Sequence, residues 1–216
     1  MIYCADGNPK FAAAAVEAGF LYGARLPGTV YQRVYFADQQ WKYPDRAAYM
    51  RALAKHRPEV ATVLDWADEA QWSEVWSWAV EAAQYVRQVV IIPKVPGLVA
   101  TVPWRVGGAD VVLGFSVPTS YGGTTCGLWE FGRRPVHLLG GSPHRQMELA
   151  RYLNVISTDG NMAHQQAHHC RFWSPTRTLK GHWVQLAEAG DVRHAGANLE
   201  SFRRSCVHIL DAWRRR

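Results

Sequence analysis

Four short apolar runs, each closed by a carboxylate or a glycine pair, constrain this chain more than any other feature. They are Val34-Tyr35-Phe36-Ala37-Asp38, Ala61-Thr62-Val63-Leu64-Asp65, Val136-His137-Leu138-Leu139-Gly140-Gly141 and Asn154-Val155-Ile156-Ser157-Thr158-Asp159-Gly160. Runs of this length bounded by turn residues read as buried strands of a parallel sheet. The polar residue that closes each run then falls on one shared rim, where barrel enzymes keep their chemistry. Asp38, Asp65 and Asp159, arriving at one mouth from different strands, suit acid, base and nucleophile work on a small ring substrate.

Strand and helix signals alternate almost from the first residue. A strand over 2–5 ends at Asp6-Gly7-Asn8, and Pro9 opens an alanine-rich helix that stops at Gly19. Strands are expected over 20–26 and 31–37, then a helix over 45–56 closed by Pro58. A strand over 60–64 precedes a long helix over 68–86, where Trp72, Val75, Trp76 and Ala79 keep helical spacing. Further strands fall at 89–92, 111–115, 136–139 and 155–158, with a helix over 143–153 between the last two. Seven or eight strand units with short connections favour a compact (β/α)8-type TIM barrel, minimal or incomplete, over an open doubly wound sheet. From Phe172 to Asn198 apolar runs are few. A final helix then carries Leu199, Phe202, Cys206, Ile209 and Trp213 as one stripe that would cover the barrel.

A length of 216 residues suits one barrel domain with a C-terminal extension from about residue 172. No uninterrupted apolar window of about 18 residues appears, and no basic stretch leads into an apolar core at the N-terminus. The expectation is therefore a cytoplasmic protein without a membrane partner. Cys4, Cys126, Cys170 and Cys206 are scattered and form no CxxC pair, so neither a disulfide framework nor a zinc ribbon is indicated. The net charge is +6, and only Lys10, Lys42, Lys55, Lys94 and Lys180 of the 24 basic residues are not arginine. Arginine suits bidentate phosphate contacts. The clusters Arg133-Arg134, Arg203-Arg204 and Arg214-Arg215-Arg216 read either as a nucleic-acid footprint or as solvated basic surface.

The ordered motifs FADQQW, VLDW, IIPK, LGFSVPTSYGG, HLLGGSPHRQMELARYL and ISTDGN, spread over roughly residues 30 to 173, carry a resemblance. Together they resemble the catalytic barrel of the tRNA-guanine transglycosylases, and more closely that of the DNA-directed relatives that insert 7-deazaguanine bases into DNA. The resemblance implies that Asp38 contributes acid/base work, Asp65 recognises the purine edge, Gly114 and Phe115 line the base pocket, and Asp159 is the nucleophile. Gly140 and Gly141 match the family's glycine-ended strand. DNA and a free 7-deazaguanine-type base are the implied partners. The chain departs from the tRNA enzymes in three ways. It lacks their Cys-x-Cys-x-x-Cys zinc module, it carries Pro93-Lys94 where their base-contacting glutamine stands, and it is much shorter.

The residue types suit that chemistry. Breaking a purine N-glycosidic bond builds positive charge on the sugar, which a carboxylate stabilises or attacks to form a covalent intermediate. The leaving base gains a proton and the incoming base loses one, which requires a second carboxyl group of suitable pKa. An acceptor-only group reads ring N–H and amino donors. Glycines let backbone approach a flat ring. Plainer readings stand beside these. An aspartate after a strand equally serves as the N-cap of the next helix, and Asp159-Gly160-Asn161 equally reads as a turn.

Other features are less specific. His164 and His168 share a helical face, and with Cys170 they form a candidate zinc site, although no second ligand cluster accompanies them. No cofactor is expected otherwise. Tyr121-Gly122-Gly123-Thr124-Thr125 resembles a phosphate-cradling loop without a P-loop lysine. Trp41, Trp66 and Trp129 follow strand ends and are placed either in the core or to stack on a base. The chain thus reads as a base-exchange transglycosylase. Its rivals are a glycosidase or phosphorylase of free nucleosides or nucleotides, and a non-catalytic nucleic-acid-binding barrel.

Overall fold

The computed structural model describes residues 1–5, 8–120, 122–178, 181–189 and 196–216, so the expected Asp6-Gly7 turn, Tyr121 and Lys180 lie outside the described residues. Among the described residues nine strands form the principal sheet. They are β1 (Ile2–Cys4), β2 (Leu21–Leu26), β3 (Phe36–Gln39), β4 (Val60–Trp66), β5 (Gln88–Pro93), the two-residue β6 (Arg105–Val106), β7 (Ala109–Ser116), β8 (Val136–Leu139) and β9 (Val155–Gly160). β5 pairs in parallel with β7, and β1 with β9. Eight parallel strands therefore close in the order β1-β2-β3-β4-β5-β7-β8-β9, while β6 folds back antiparallel on β7. The fold is a TIM-type barrel, as the strand count implies.

Strand alternation sorts the apolar residues into two layers. Ile2, Phe36, Val60, Val90, Ile92 and Val112 fill the lumen. Their neighbours, including Tyr3, Ala37, Ala61, Val89, Ile91, Val111 and Leu113, join a larger core between the strands and the outer helices.

Those helices are α1 (Pro9–Ala18), α2 (Arg46–His56), α3 (Trp72–Ala82), α4 (Pro143–Leu149), α5 (Met162–Ala167) and α6 (Ala197–Arg214). Local chemistry starts them. Pro9 sits in the first turn of α1, and the Asn8 side chain accepts from the Lys10 N–H. Asp45 does the same for α2 through the Ala48 N–H at 2.9 Å. The helix expected over 68–86 is split, because Asp68 and Gln71 form a capping box around a 3-10 turn at Glu69–Gln71 before α3 begins. Among the described residues the connections β2–β3, β5–β7 and β7–β8 hold no α-helix, so the outer ring is incomplete.

Three sequence expectations shift. The strand expected over 31–37 begins only at Phe36 and runs to Gln39, and the Tyr35 N–H ahead of it donates to the Tyr22 carbonyl at 2.8 Å. The helix expected to reach residue 153 stops at Leu149. Between α5 and α6 an antiparallel pair, β10 (Arg171–Thr178) and β11 (Gly181–Gln185), occupies the stretch poor in apolar runs.

α6 closes the outer layer over the β9–β1 seam, as its stripe predicts. Phe202 packs on Tyr3 and Phe11 with ring centroids 5.2 and 4.9 Å away. Trp173 of β10, fully buried, donates its backbone N–H to Ser205 at 2.9 Å. The C-terminal half of α6 runs to the strand-start end of the barrel. Leu210 lies against Gly19, the residue that caps α1 just before β2. Among the described residues no helix is long and apolar enough to cross a membrane.

Candidate active site

A cavity of about 320 Å³ opens at the end of the barrel where the parallel strands finish. Asp38, Asp65, Lys94, Gly140, Gly141 and Asp159, all expected from sequence, line it together with Cys4, Arg25 and Trp41. None of the three aspartates takes the capping role that was its plain alternative. The following helical segments take Asp45, Asp68 and Asn161 as their N-cap residues instead, the first two bonding the helix start with their side chains.

Asp38 stands beside Arg25 in register across β2 and β3. Its Oδ1 accepts the Thr62 hydroxyl at 3.0 Å, and that hydroxyl oxygen accepts the Gln39 N–H at 2.9 Å. Burial, then the neighbouring Asp159 charge, push the Asp38 carboxyl from 3.8 up to about 7, against the pull of Thr62 and Arg25. Such a group holds and releases a proton near neutral pH.

Asp159 is held from several sides. Its Oδ1 lies 3.3 Å from His137 Nε2 and 3.3 Å from the Gly140 N–H. The Gln146 amide donates to the carbonyls of both Gly140 and Asp159 at 2.7 Å, which ties the end of β8 to the end of β9. His137 is completely buried in the lumen, stacked on Phe36 with centroids 4.8 Å apart. Its Nδ1 lies 2.8 Å from Ser157 Oγ. A carboxylate only accepts, so Nε2 carries the proton that it donates to Asp159, while Nδ1 shares a hydrogen bond with the serine hydroxyl. His137 lay inside a recognised strand and was missed as a site residue. A histidine within an otherwise aliphatic β8 was the available signal. Arg25 was missed for a similar reason, since β2 carried no strand-end motif.

Asp65 reaches the mouth through an irregularity. Unbroken alternation from Val60 and Thr62 would turn Leu64 into the lumen. The register against β5 shifts between Thr62 and Asp65, Leu64 packs into the outer core, and Asp65 faces the cavity. There it pairs with Lys94 Nζ at 2.5 Å. The same shift explains why Trp66, placed by sequence either in the core or on a base, is buried against Trp72 in the outer layer.

Two expected base-pocket residues lie elsewhere. Phe115 points outward and meets Phe131 edge-on at 5.3 Å, because it alternates with the inward Gly114. Gly114 faces the lumen beneath the cavity, where a Cβ would come within 2.5 Å of Ile92 and 2.9 Å of Leu139. It makes room for aliphatic packing rather than for a ring. Gly141 does border the cavity, with φ +78 and Val117 only 2.5 Å from where a Cβ would stand. Gly122 and Gly123, from the loop after β7, line the cavity too. Trp41 is 60% exposed beside the cavity, whereas Trp129, 81% exposed, is not among its lining residues.

The C-terminal arginines do not reach the mouth. Arg203 faces Glu17 at 3.7 Å, Arg204 bonds Glu200 at 3.0 Å, and Arg214 approaches Asp211 at 3.5 Å. Arg216 lies over Trp213 and within electrostatic reach of Arg151, beyond the end of α4. Arg214, Arg215 and Arg216 thus sit at the strand-start end, because α6 runs antiparallel to the barrel strands and spans about 27 Å. Arg134 is structural, with its guanidinium donating to the Val102 and Pro103 carbonyls and covering Trp104 at 4.0 Å.

Of the zinc candidates, His164 and His168 stay adjacent, but Cys170 parts from them. His164 is buried with Nδ1 3.0 Å from the Tyr3 hydroxyl, stacked on Phe11, and its ring centroid is 4.8 Å from that of His168. Cys170 instead joins the small apolar cluster of Phe172, Leu186 and Ala197. Among the described residues no three His, Cys, Asp or Glu side chains gather to hold a metal.

Fold and site together define a closed parallel β-barrel with a carboxylate-lined cavity at its C-terminal mouth. The chain belongs to DUF6610, a family of unknown function whose model matches residues 15–214. No curated protein and no solved structure matches it.

Proposed function

We propose that this protein is a nucleobase transglycosylase that cleaves a guanine-type N-glycosidic bond and inserts a 7-deazaguanine derivative in DNA. One observation carries the reading. Two carboxyl groups in one cavity have divergent surroundings, Asp38 enclosed and shifted to about 7, Asp159 faced by the His137 and Gly140 N–H groups. Divergent environments of this kind separate acid from nucleophile in two-carboxylate glycosyl chemistry.

In this mechanism an Asp159 carboxylate oxygen bonds to the anomeric carbon as the bond to the base nitrogen breaks, and Asp38 gives its proton to the departing base. The incoming base then gives its ring N–H proton to the Asp38 carboxylate. Its nitrogen bonds to the anomeric carbon and Asp159 leaves. Lys94 and Asp65 offer a donor beside an acceptor, which complements the carbonyl and the N–H groups of a guanine edge. His137 acts as a positioning residue behind Asp159.

The test is Asp159→Asn, which should fold yet abolish base release, together with mass spectrometry of nucleosides from DNA of cells expressing either form. A modified deoxyguanosine that appears only with the wild type is expected. Retained turnover in the variant would overturn the mechanism. The seat of Arg214 to Arg216 at the far end of the barrel favours a second reading, base release from free nucleosides. It would leave DNA composition unchanged while a free nucleoside is consumed.

A further inference from the structure

We propose that the barrel mouth carries its own nucleic-acid surface, made of a phosphate-binding edge of His144, Arg145, Arg177 and His182 and, across the cavity, a stacking shelf of Trp41 and Tyr43. The two features hold a DNA strand with its target nucleotide turned into the cavity. This inference rests on the transglycosylase reading and replaces the C-terminal arginines as the polymer contact.

The basic edge is built by tertiary contact. His144 and Arg145, in the first turn of α4, follow Pro143 just beyond the cavity-lining Gly140 and Gly141. The β10–β11 pair brings His182 onto His144, with ring centroids 4.9 Å apart and planes 24° from parallel. His182 is itself fixed by Trp173 stacking at 5.9 Å and by its Nδ1 at 3.0 Å from the Ser174 carbonyl. Burial lowers the His144 pKa, and His182, Arg145 and Arg177 all press it further down. Glu148 is the acid that faces this group, and Arg145 already engages it at 2.6 Å. Arg145 and Arg177 are two cations beside this one carboxylate, a balance that suits a polyanion, and the His144 ring, whose charge is disfavoured, adds a polar hydrogen-bonding group beside them.

The shelf lies on the loop after β3, which is the fourth strand from β8 in either direction around the barrel. Trp41 and Tyr43 are therefore diametrically opposite the basic edge. They are 60% and 83% exposed, with Lys42 over the Trp41 ring at 5.3 Å. Exposed aromatic faces next to a cation are the usual platform for unstacked bases. An enzyme that acts on the glycosidic bond of a paired base must first extrude it, and its neighbours then need such surfaces.

The experiment is fluorescence anisotropy of a labelled guanine-containing oligonucleotide over a salt series, with the full-length protein. All the side chains changed are at the surface, and circular dichroism checks each fold. Arg145→Ala with Arg177→Ala should flatten the slope of log affinity against log salt by about one per lost contact. Trp41→Ala should weaken binding by on the order of 5- to 100-fold with the slope unchanged. Replacing Arg214, Arg215 and Arg216 by alanine should alter neither quantity. A slope that falls with the tail variant and holds with the Arg145/Arg177 variant overturns the inference, as does a wild type that binds no DNA. Base release from a free nucleoside, run in parallel, separates the two proposals. Turnover without DNA binding sinks the surface alone, and mouth-dependent DNA binding without any base release sinks the enzyme reading alone.

Discussion

Replacing Asp38 by asparagine should stabilise the protein and disable it at the same time. The side chain sits in the lumen with its Oδ1 on the Thr62 hydroxyl, a contact that an asparagine oxygen retains. What the substitution removes is a charge that burial and Asp159 disfavour, the reason its carboxyl titrates near 7 rather than 3.8. The folded protein thus binds a proton on this group that the unfolded chain has already released. The stability contributed by that proton is fully present below the unfolded value and is lost as pH rises through the folded one. A shift of that size corresponds to at most about 4 kcal/mol, and the opening of the cavity to solvent screens it to roughly 2 kcal/mol. Denaturant unfolding of both proteins at a series of pH values checks this. The variant should gain about 2 kcal/mol on the wild type between about pH 4 and 7 and hold that margin above it. Base release should fall by on the order of 10²–10⁴-fold over the same range. A stability difference that stays flat with pH would refute the argument, since it would mean that Asp38 is ionised in the fold at no cost.

Three further outcomes follow from the geometry. His137→Phe keeps the stacking on Phe36 but removes the N–H facing Asp159, so turnover should drop by about 10- to 100-fold with KM little changed. A purely structural role would lower the unfolding midpoint and leave turnover per folded molecule intact. Asp65→Asn should reorder the affinities of purine analogues, because an amide offers a donor beside Lys94 where the carboxylate offered acceptors alone. An unchanged ranking in competition binding would remove Asp65 from base recognition. Gly114→Ala should cost about 1–3 kcal/mol in denaturant unfolding, since the added methyl meets Ile92 and Leu139 at under 3 Å. An undisturbed midpoint would show that the lumen has slack there.

Much of the barrel is legible in the chain because its determinants are local. Apolar runs ending in aspartate or glycine are strands whatever lies beside them, and Asn8-Pro9 and Asp45 start helices by bonding residues two or three positions on. The meeting of Asp38, Asp65 and Asp159 at one mouth follows from parallel strands closing into a ring, since every strand then ends on the same rim. Their order along the chain was enough to gather them. The side each residue faces was not legible where the strand departs from simple alternation. The shift in β4 sends Leu64 and Trp66 outward and Asp65 inward, and it depends on pairing with β5, more than twenty residues away in sequence. The same holds for His137, whose partners Ser157 and Asp159 arrive on the next strand, and for Phe115, which a shift of one residue from Gly114 consigns to the outer core.

Charge behaves in the same way. A closed parallel barrel with aspartates on its rim could be read from the chain alone, because strand ends and helix caps are encoded within a few residues. The chain also displayed arginine clusters but could not say which end of the barrel they occupy. That α6 lies antiparallel to the strands, carrying Arg214, Arg215 and Arg216 to the strand-start end, and that β10 and β11 bring His182 to the mouth, emerges only from packing between distant segments. A helix stripe specifies which face is buried. Its direction and its neighbours are set by the packing of Phe202 on Tyr3 and Phe11 and of Trp173 on Ser205, contacts between segments that only the closed barrel brings together.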